Sequence, residues 1–177
     1  MKRFFTVFLV IAFFMPVFAD KVTLIMKHGK KINGEIEKIE VSDADGLNKM
    51  ETTTINAASG VNEMLLKIRE IKSIKFKSSD DVSCYEDSRF APTRKVCTMK
   101  AKYFIQMKKP GKKKKKIEMT DDRMFYFYLK GRKEPVKFFL YKIKVTNKGR
   151  EDKVSYSELE REVLKHNKEG VKNILFK

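Results

Sequence analysis

In VTLIMKHGKKINGEIEKIEV, residues 22–41, Val22, Leu24 and Met26 alternate with Thr23, Ile25 and Lys27. A two-residue apolar period fits a strand with one buried face, whereas helical apolar positions recur every three or four residues. The same short period returns along most of the chain, and it restricts the fold more than any other feature. Gly29 in KHGKK supplies a turn, and Ile32, Gly34 and Ile36 continue the alternation, so the segment reads as a hairpin. The alternation slips one position before Ile39 and Val41, as a bulge or sharp bend produces. Gly34 inside the strand marks a bend or a close backbone approach. After the polar turn SDADGLN (42–48), further strands are predicted in KMETTTINA (49–57), VNEMLLKI (61–68) and REIKSIKFK (69–77). Met64, Leu66 and Ile68 share one face, and Ile74 and Phe76 face one way. Five strands this short and closely spaced predict a small barrel over residues 20–77.

The residues of this region also carry a family resemblance. VTLIMKHGKKINGEIEKIE is similar to the first half of an Sm-like barrel, which opens with a strand, a glycine turn and a bent strand holding a second glycine. LLKIREIKSIKF resembles the closing strands of small exported relatives, in which a turn of helix precedes the last strand. RNA-binding members of that family use an acidic residue and an Asn in one loop and an Arg-Gly pair in another. REIKS has no Arg-Gly, and DADGLN matches only loosely. The resemblance therefore implies the fold of residues 21–77 and not an RNA site, and a fold by itself does not give a function.

The chain opens MKRFFTVFLVIAFFMPVFAD. Lys2 and Arg3, the apolar run from Phe4 to Met15 and the small residues ending at Ala19 have the layout of a secretory signal peptide, residues 1–19. The run is shorter than the ~20 residues that cross a bilayer. The expectation is an exported protein, periplasmic or secreted, that is not an integral membrane protein once the signal is removed. Removing 19 of 177 residues leaves 158, enough for one ordinary domain or two small ones. The formal charge of +17 falls to +15 when Lys2 and Arg3 leave, and charge of that size attracts anionic partners.

Cys84 and Cys97 are the chain's two cysteines. In an oxidising compartment they predict a disulfide. A metal pair would need further ligands, and only His28 and His166 are on offer; a nucleophile would need a base placed beside it. Residues 78–97 accordingly read as a linker and a disulfide-tied loop, with a boundary near residue 80.

Residues 98–177 read as an antiparallel sheet carrying one helix. In CTMKAKYFIQM, Ala101, Tyr103, Ile105 and Met107 share a face. KKKIEM (114–119) returns across Pro110-Gly111, RMFYFYLKG (123–131) is apolar on both faces and so central, and VKFFLYKIKV (136–145) closes a four-stranded meander. SYSELEREVLKHNKEG predicts a helix over 156–169, with Ser155 and Glu158, or Ser157 and Glu160, as its capping box and Gly170 as its stop. VKNILFK (171–177) reads as a final strand much like IKSIKFK (71–77). The fold class is mainly β, a β-rich α+β chain.

Chemistry is sparse. The clusters Asp43/Asp45, Asp80/Asp81, Asp121/Asp122 and Glu158/Glu160/Glu162 match no calcium loop and select no catalytic pair. Phosphate-loop, HExxH and GxSxG motifs are missing, so no catalytic residue, metal or cofactor is assigned and the chain is not read as an enzyme. His28 is read as a turn residue, and His166 as a cation suited to the last turn of a helix. QMKKPGKKKKKIEM (106–119) offers Lys108, Lys109, Lys112, Lys113, Lys114, Lys115 and Lys116 as contacts for an anionic ligand, or as the solvated tip of a hairpin. Tyr126 and Tyr128 share a strand face and read either as core or as an aromatic platform beside lysines. The function expected is a non-catalytic interaction module whose basic surface binds an anionic envelope polymer or a protein partner. Nucleic-acid binding and an envelope hydrolase without a recognisable motif are the alternatives.

Overall fold

The computed structural model describes residues 21–43, 48–90, 93–109, 116–148 and 153–177. The expected signal peptide, most of the SDADGLN turn, and Pro110 to Lys115 lie outside the described residues. The described chain is mostly β: thirteen strands in a single antiparallel sheet, with one α-helix. In chain order the strands are β1 (Lys21–Met26), β2 (Lys31–Ser42), β3 (Lys49–Glu51), β4 (Thr54–Ser59), β5 (Asn62–Lys67), β6 (Ile71–Ser79), β7 (Ser83–Asp87), β8 (Arg94–Met107), β9 (Ile117–Met119), β10 (Met124–Leu129), β11 (Val136–Phe139), β12 (Lys142–Thr146) and β13 (Val171–Phe176). The helix α1 spans Tyr156–Glu169. The longest path through the sheet runs β11-β10-β2-β1-β13-β6-β8-β9-β4-β5.

Two long strands organise this path by changing partners midway. Lys31 to Glu35 of β2 pair with β1, and from Ile36 onward the strand pairs with β10. The change falls at Gly34, where a Cβ would lie 3.1 Å from the Cβ of Leu129; glycine is what lets β10 approach. Leu129 pairs with Ile36 and Tyr128 with Lys38, so Glu37 is left over as a bulge. That bulge is the slip in the apolar alternation, and it keeps Ile36, Ile39 and Val41 all in the core. In the same way β8 pairs with β7 and β12 along Arg94 to Lys100, and with β6 and β9 along Ala101 to Met107.

Residues 21–77 do contribute the short strands expected of them, and a 3-10 turn at Ile68–Glu70 precedes β6. Their first and last strands, however, do not meet. β13 lies between them, with Leu24 opposite Ile174 and Ile174 opposite Ile74. The matching apolar rows explain the fit: VKNILFK pairs with the segment it resembles. Residues 78–97, expected to be an irregular loop, instead contain β7 and the start of β8, and Cys84 faces Cys97 directly across that hairpin. The expected four-stranded meander is also rearranged. β8 pairs with β9 and β10 with β11, but β9 goes on to β4, and β10 has β2 on its other edge. A strand apolar on both faces needs two neighbours, and β2 supplies the second. The segment 136–145 divides at Leu140-Tyr141, so that Phe138 enters the main core while Phe139 enters a second, smaller one.

The second core lies under α1, where Leu159 and Val163 pack with Cys97, Met99, Ile143 and Val145. Of the two cap readings, the helix uses Ser155 with Glu158: the Ser155 N–H donates to Glu158 Oε2 (2.7 Å) and the Glu158 N–H to Ser155 Oγ (3.3 Å). Leu164 stays exposed. Among the described residues no helix is long and apolar enough to cross a membrane.

Candidate functional site

The face of β6, β8 and β9 that turns away from the main core carries the feature of most functional interest. On the inward side Ile74, Tyr103 and Ile105 are buried. Their neighbours in sequence must therefore point outward. Across that outer face Asn173, Lys75, Phe104 and Glu118 lie opposite one another in one row. Lys77 sits at an irregularity in β6, between Phe76 and Ser78. Phe104 is half-buried at the centre. The Lys116 ammonium stands 4.2 Å and the Lys77 ammonium 5.4 Å from its ring centroid, within the range of cation–π attraction.

Two lysines of this face have a nearby carboxylate: Lys116 with Glu118 (3.0 Å) and Lys102 with Asp80 (3.4 Å). Among the described residues no carboxylate lies within ion-pair distance of Lys72, Lys75 or Lys77. The positive charge on this face is thus only partly balanced.

The lysine run begins at the edge of the same face. Ile105 opposite Ile117 and Phe104 opposite Glu118 make β8 and β9 the two arms of a hairpin around residues 108–116. Lys108, Lys109 and Lys116 are exposed, and the Lys108 N–H donates to the Glu70 carbonyl (2.7 Å). Lys112, Lys113, Lys114 and Lys115 lie outside the described residues. Lys116 joins the run to Phe104.

Tyr126 and Tyr128 lie elsewhere, on the outer side of β10, and α1 does not cover them: it packs on β8, β11 and β12. Tyr126 is nonetheless only 5% exposed, with the ammonium groups of Lys49 and Lys137 at 4.6 Å and 5.9 Å from its ring. Its hydroxyl accepts a hydrogen bond from Ser42 (3.3 Å). The Tyr128 hydroxyl donates to Glu40 (2.7 Å), and Lys38 bonds the other oxygen of that carboxylate (2.6 Å) while standing 4.5 Å from the ring centroid. The hydrogen bond from Lys38, then that from Tyr128, hold the Glu40 carboxyl below the usual carboxylate range. Lysine side chains of this chain stand against both rings.

Two carboxylates are clamped rather than available. Asp121 is fully buried; Arg123 grips both of its oxygens (2.8 and 2.6 Å), and the Asn56 N–H donates to it (3.1 Å). Arg89 grips Asp87 in the same two-pronged way, and chiefly that bond pulls the Asp87 carboxyl down to about 2. Two-residue spacing, Asp-x-Arg, serves both clamps. His28 is exposed in the β1–β2 turn, and His166 is exposed with its ring edge-on to Phe139 at 6.0 Å. Among the described residues no three metal-binding side chains converge.

One unusual side chain carried no local signal in the sequence. The Lys27 ammonium lies 3.6 Å from the Phe76 ring centroid and bonds the Asn167 side-chain oxygen at the end of α1. Burial lowers its pKa to about 8. Phe76 and Asn167 are far from Lys27 in sequence, so only the assembled sheet creates this environment. The outward lysines of β6, by contrast, have a signal in the alternation that turns Ile74 and Phe76 inward.

No protein family, characterised protein or solved structure matches this chain. The Cys84–Cys97 disulfide is formed, with its Cα atoms 4.1 Å apart, and no described cysteine is free.

Proposed function

We propose that the protein is an exported, non-catalytic interaction module that binds an anionic polymer of the cell envelope or its surroundings through the outer face of β6, β8 and β9. The observation that carries this reading is the row Lys75–Phe104–Glu118, with Lys77 and Lys116 against the Phe104 ring and Lys72, Lys75 and Lys77 lacking carboxylate partners among the described residues. Rigid strands fix the spacing of these charges, and a half-buried ring between them offers a surface for a sugar or a base. Lys108, Lys109 and Lys116, exposed at the ends of β8 and β9, add positive charge at the same edge. Export is supported by the signal-like first residues and by the disulfide, which persists in oxidising compartments.

The test is binding to dextran sulfate, with neutral dextran as control and duplex DNA as a second polyanion. Affinity for dextran sulfate should fall ~10-fold or more between 50 and 200 mM salt, because each neutralised charge releases a counterion. Replacing Lys75, Lys77, Lys102 and Lys116 together by Gln should weaken binding at least ~10-fold at the lower salt while the fold is retained. No binding at low salt, or binding indifferent to those replacements, would refute the reading. Clear preference for DNA would transfer it to nucleic acid.

A further inference from the structure

The edge strand β5 ends the path of the sheet, and among the described residues β4 is its only strand partner. Its sequence, NEMLLK, is apolar on both faces at its centre. Met64 and Leu66 lie opposite Ala57 and Ile55 and pack against the main core. Leu65 points the other way and is 62% exposed, and Val61 in the preceding turn is 97% exposed. An exposed strand edge is a template for a further strand, and proteins ordinarily guard such edges with proline, a bulge, an inward-pointing charge or charged side chains along the edge. β5 has no proline, bulge or inward-pointing charge, and its two charges, Glu63 and Lys67, are of opposite sign and flank the exposed Leu65 on the outward face.

We propose that β5 is a self-association edge, which pairs antiparallel with β5 of a second copy of this chain across a twofold axis at Leu65. The register of β5 against itself favours this pairing. Residues directly opposite in an antiparallel pair point to the same face, so pairings that set an outward side chain against an inward one are excluded. Centring the pair on Leu65 puts Leu65 against Leu65 and Met64 against Leu66. It also puts Glu63 of each copy opposite Lys67 of the other. From Glu63 to Lys67 each position then finds a like or complementary partner: apolar with apolar on both faces, and two opposite-charge pairs at the ends. Centring on Met64 instead would set Glu63 against Leu65 and Lys67 against Val61. The charge pattern therefore selects one register and one kind of occupant. Such a contact is isologous and closes at two copies. Gly60, with φ +65° at the first position of the two-residue β4–β5 loop, keeps the turn tight, so the loop does not project across the edge.

Sedimentation equilibrium on the purified protein from micromolar concentration to ~1 mM tests this, together with charge exchange at exposed positions. The protein should form a dimer. Glu63→Lys alone, or Lys67→Glu alone, turns two attractions per dimer into two repulsions and should weaken it about tenfold. The double variant Glu63→Lys/Lys67→Glu restores opposite charges in this register and should return the dissociation constant to within about threefold of the original. A protein that stays monomeric throughout, or a dimer unmoved by either single variant, overturns the proposal. So does failure of the double exchange to restore a weakened dimer. Hydrogen exchange on the unaltered chain gives a reading that needs no variant: the β5 amides turned away from β4 should exchange more slowly as concentration rises, and unchanged rates across a dimer transition would also overturn it.

Discussion

Lys27 shows how one side chain can acquire a property that its own neighbourhood in the sequence does not suggest. It follows β1, where the alternation would send it to solvent, yet its amine ends up between the Phe76 ring and the last turn of α1. Two effects compete there. The ring and the Asn167 oxygen favour the ammonium, while removal from water disfavours it. Desolvation wins, and the pKa drops from an ordinary 10.5 to about 8. The sign of the consequence follows directly. Below pH 8 both folded and unfolded chains carry the proton; between about 8 and 10.5 the unfolded chain holds it and the folded chain has lost it, so stability rises with pH across that window. Tyr103 acts in the opposite sense. Its hydroxyl, bonded to the Val171 carbonyl and buried, resists ionisation, so the unfolded chain loses its proton first above pH 10. The clean interval is therefore pH 8 to 10. Urea midpoints of the unaltered protein should rise over that interval relative to those of Lys27→Met, which keeps the packing on Phe76 without a titrating group. Parallel midpoints for the two proteins would show that Lys27 does not titrate there.

At the scale of elements, what could be read from the chain and what could not divide along local and non-local causes. The helix was legible almost to the residue, because its start and stop are local chemistry: Ser155 with Glu158 at one end and Gly170 at the other. The bulge in β2 was legible as a slipped alternation, although the residue left over, Glu37, emerged only with the register. The disulfide followed from compartment and pairing, but the hairpin that presents Cys84 to Cys97 did not, since β7 is short, polar and exposed. The lysines facing outward on β6 were not singled out from the sequence, although the alternation of Ile74 and Phe76 carries the signal for them, and their grouping around Phe104 needed the pairing of β6, β8 and β9. Gly34 tests the element-level account of β2. A valine there would gain up to ~1 kcal/mol of strand preference. Its added atoms, however, would meet the Leu129 Cβ at 3.1 Å and Cδ1 at 3.2 Å, and Leu129 is fixed by its pairing with Ile36 and by burial. Overpacking of that kind costs about 1–3 kcal/mol, so the clash outweighs the preference. Gly34→Val should lower the unfolding free energy in urea by about 1–2 kcal/mol, and an unchanged or higher value would mean that β10 does not depend on the missing side chain.

For the whole molecule the decisive feature is the order of strands, in which the last strand of the chain separates the first from the sixth. Each of β1, β13 and β6 carries a row of apolar residues on one face, so each was readable as a strand. Which strand sits beside which is a matter of long-range pairing, and no local pattern encodes it. The resemblance of residues 21–77 to a small barrel suggests a segment able to close on itself. The observed pairing leaves β1 and β6 each with an edge filled by β13, while β2 leans on β10 and β4 on β9. The main core draws on the same interleaving: Leu24, Ile74, Phe127, Ile174 and Phe176 belong to one cluster. A fragment of residues 20–77 would therefore expose the edges that β13, β10 and β9 cover, and the apolar side chains beneath them. On this account the fragment alone should lack dispersed amide resonances and a cooperative melt. The chain truncated after Gly170 should fail in the same way, although it keeps the helix and twelve of the thirteen strands. The unaltered protein should unfold in one transition by both aromatic fluorescence and backbone circular dichroism. A folded, cooperatively melting 20–77 fragment would show that the barrel-like segment is a domain in its own right, and that β13 is an addition to it rather than a part of its closure.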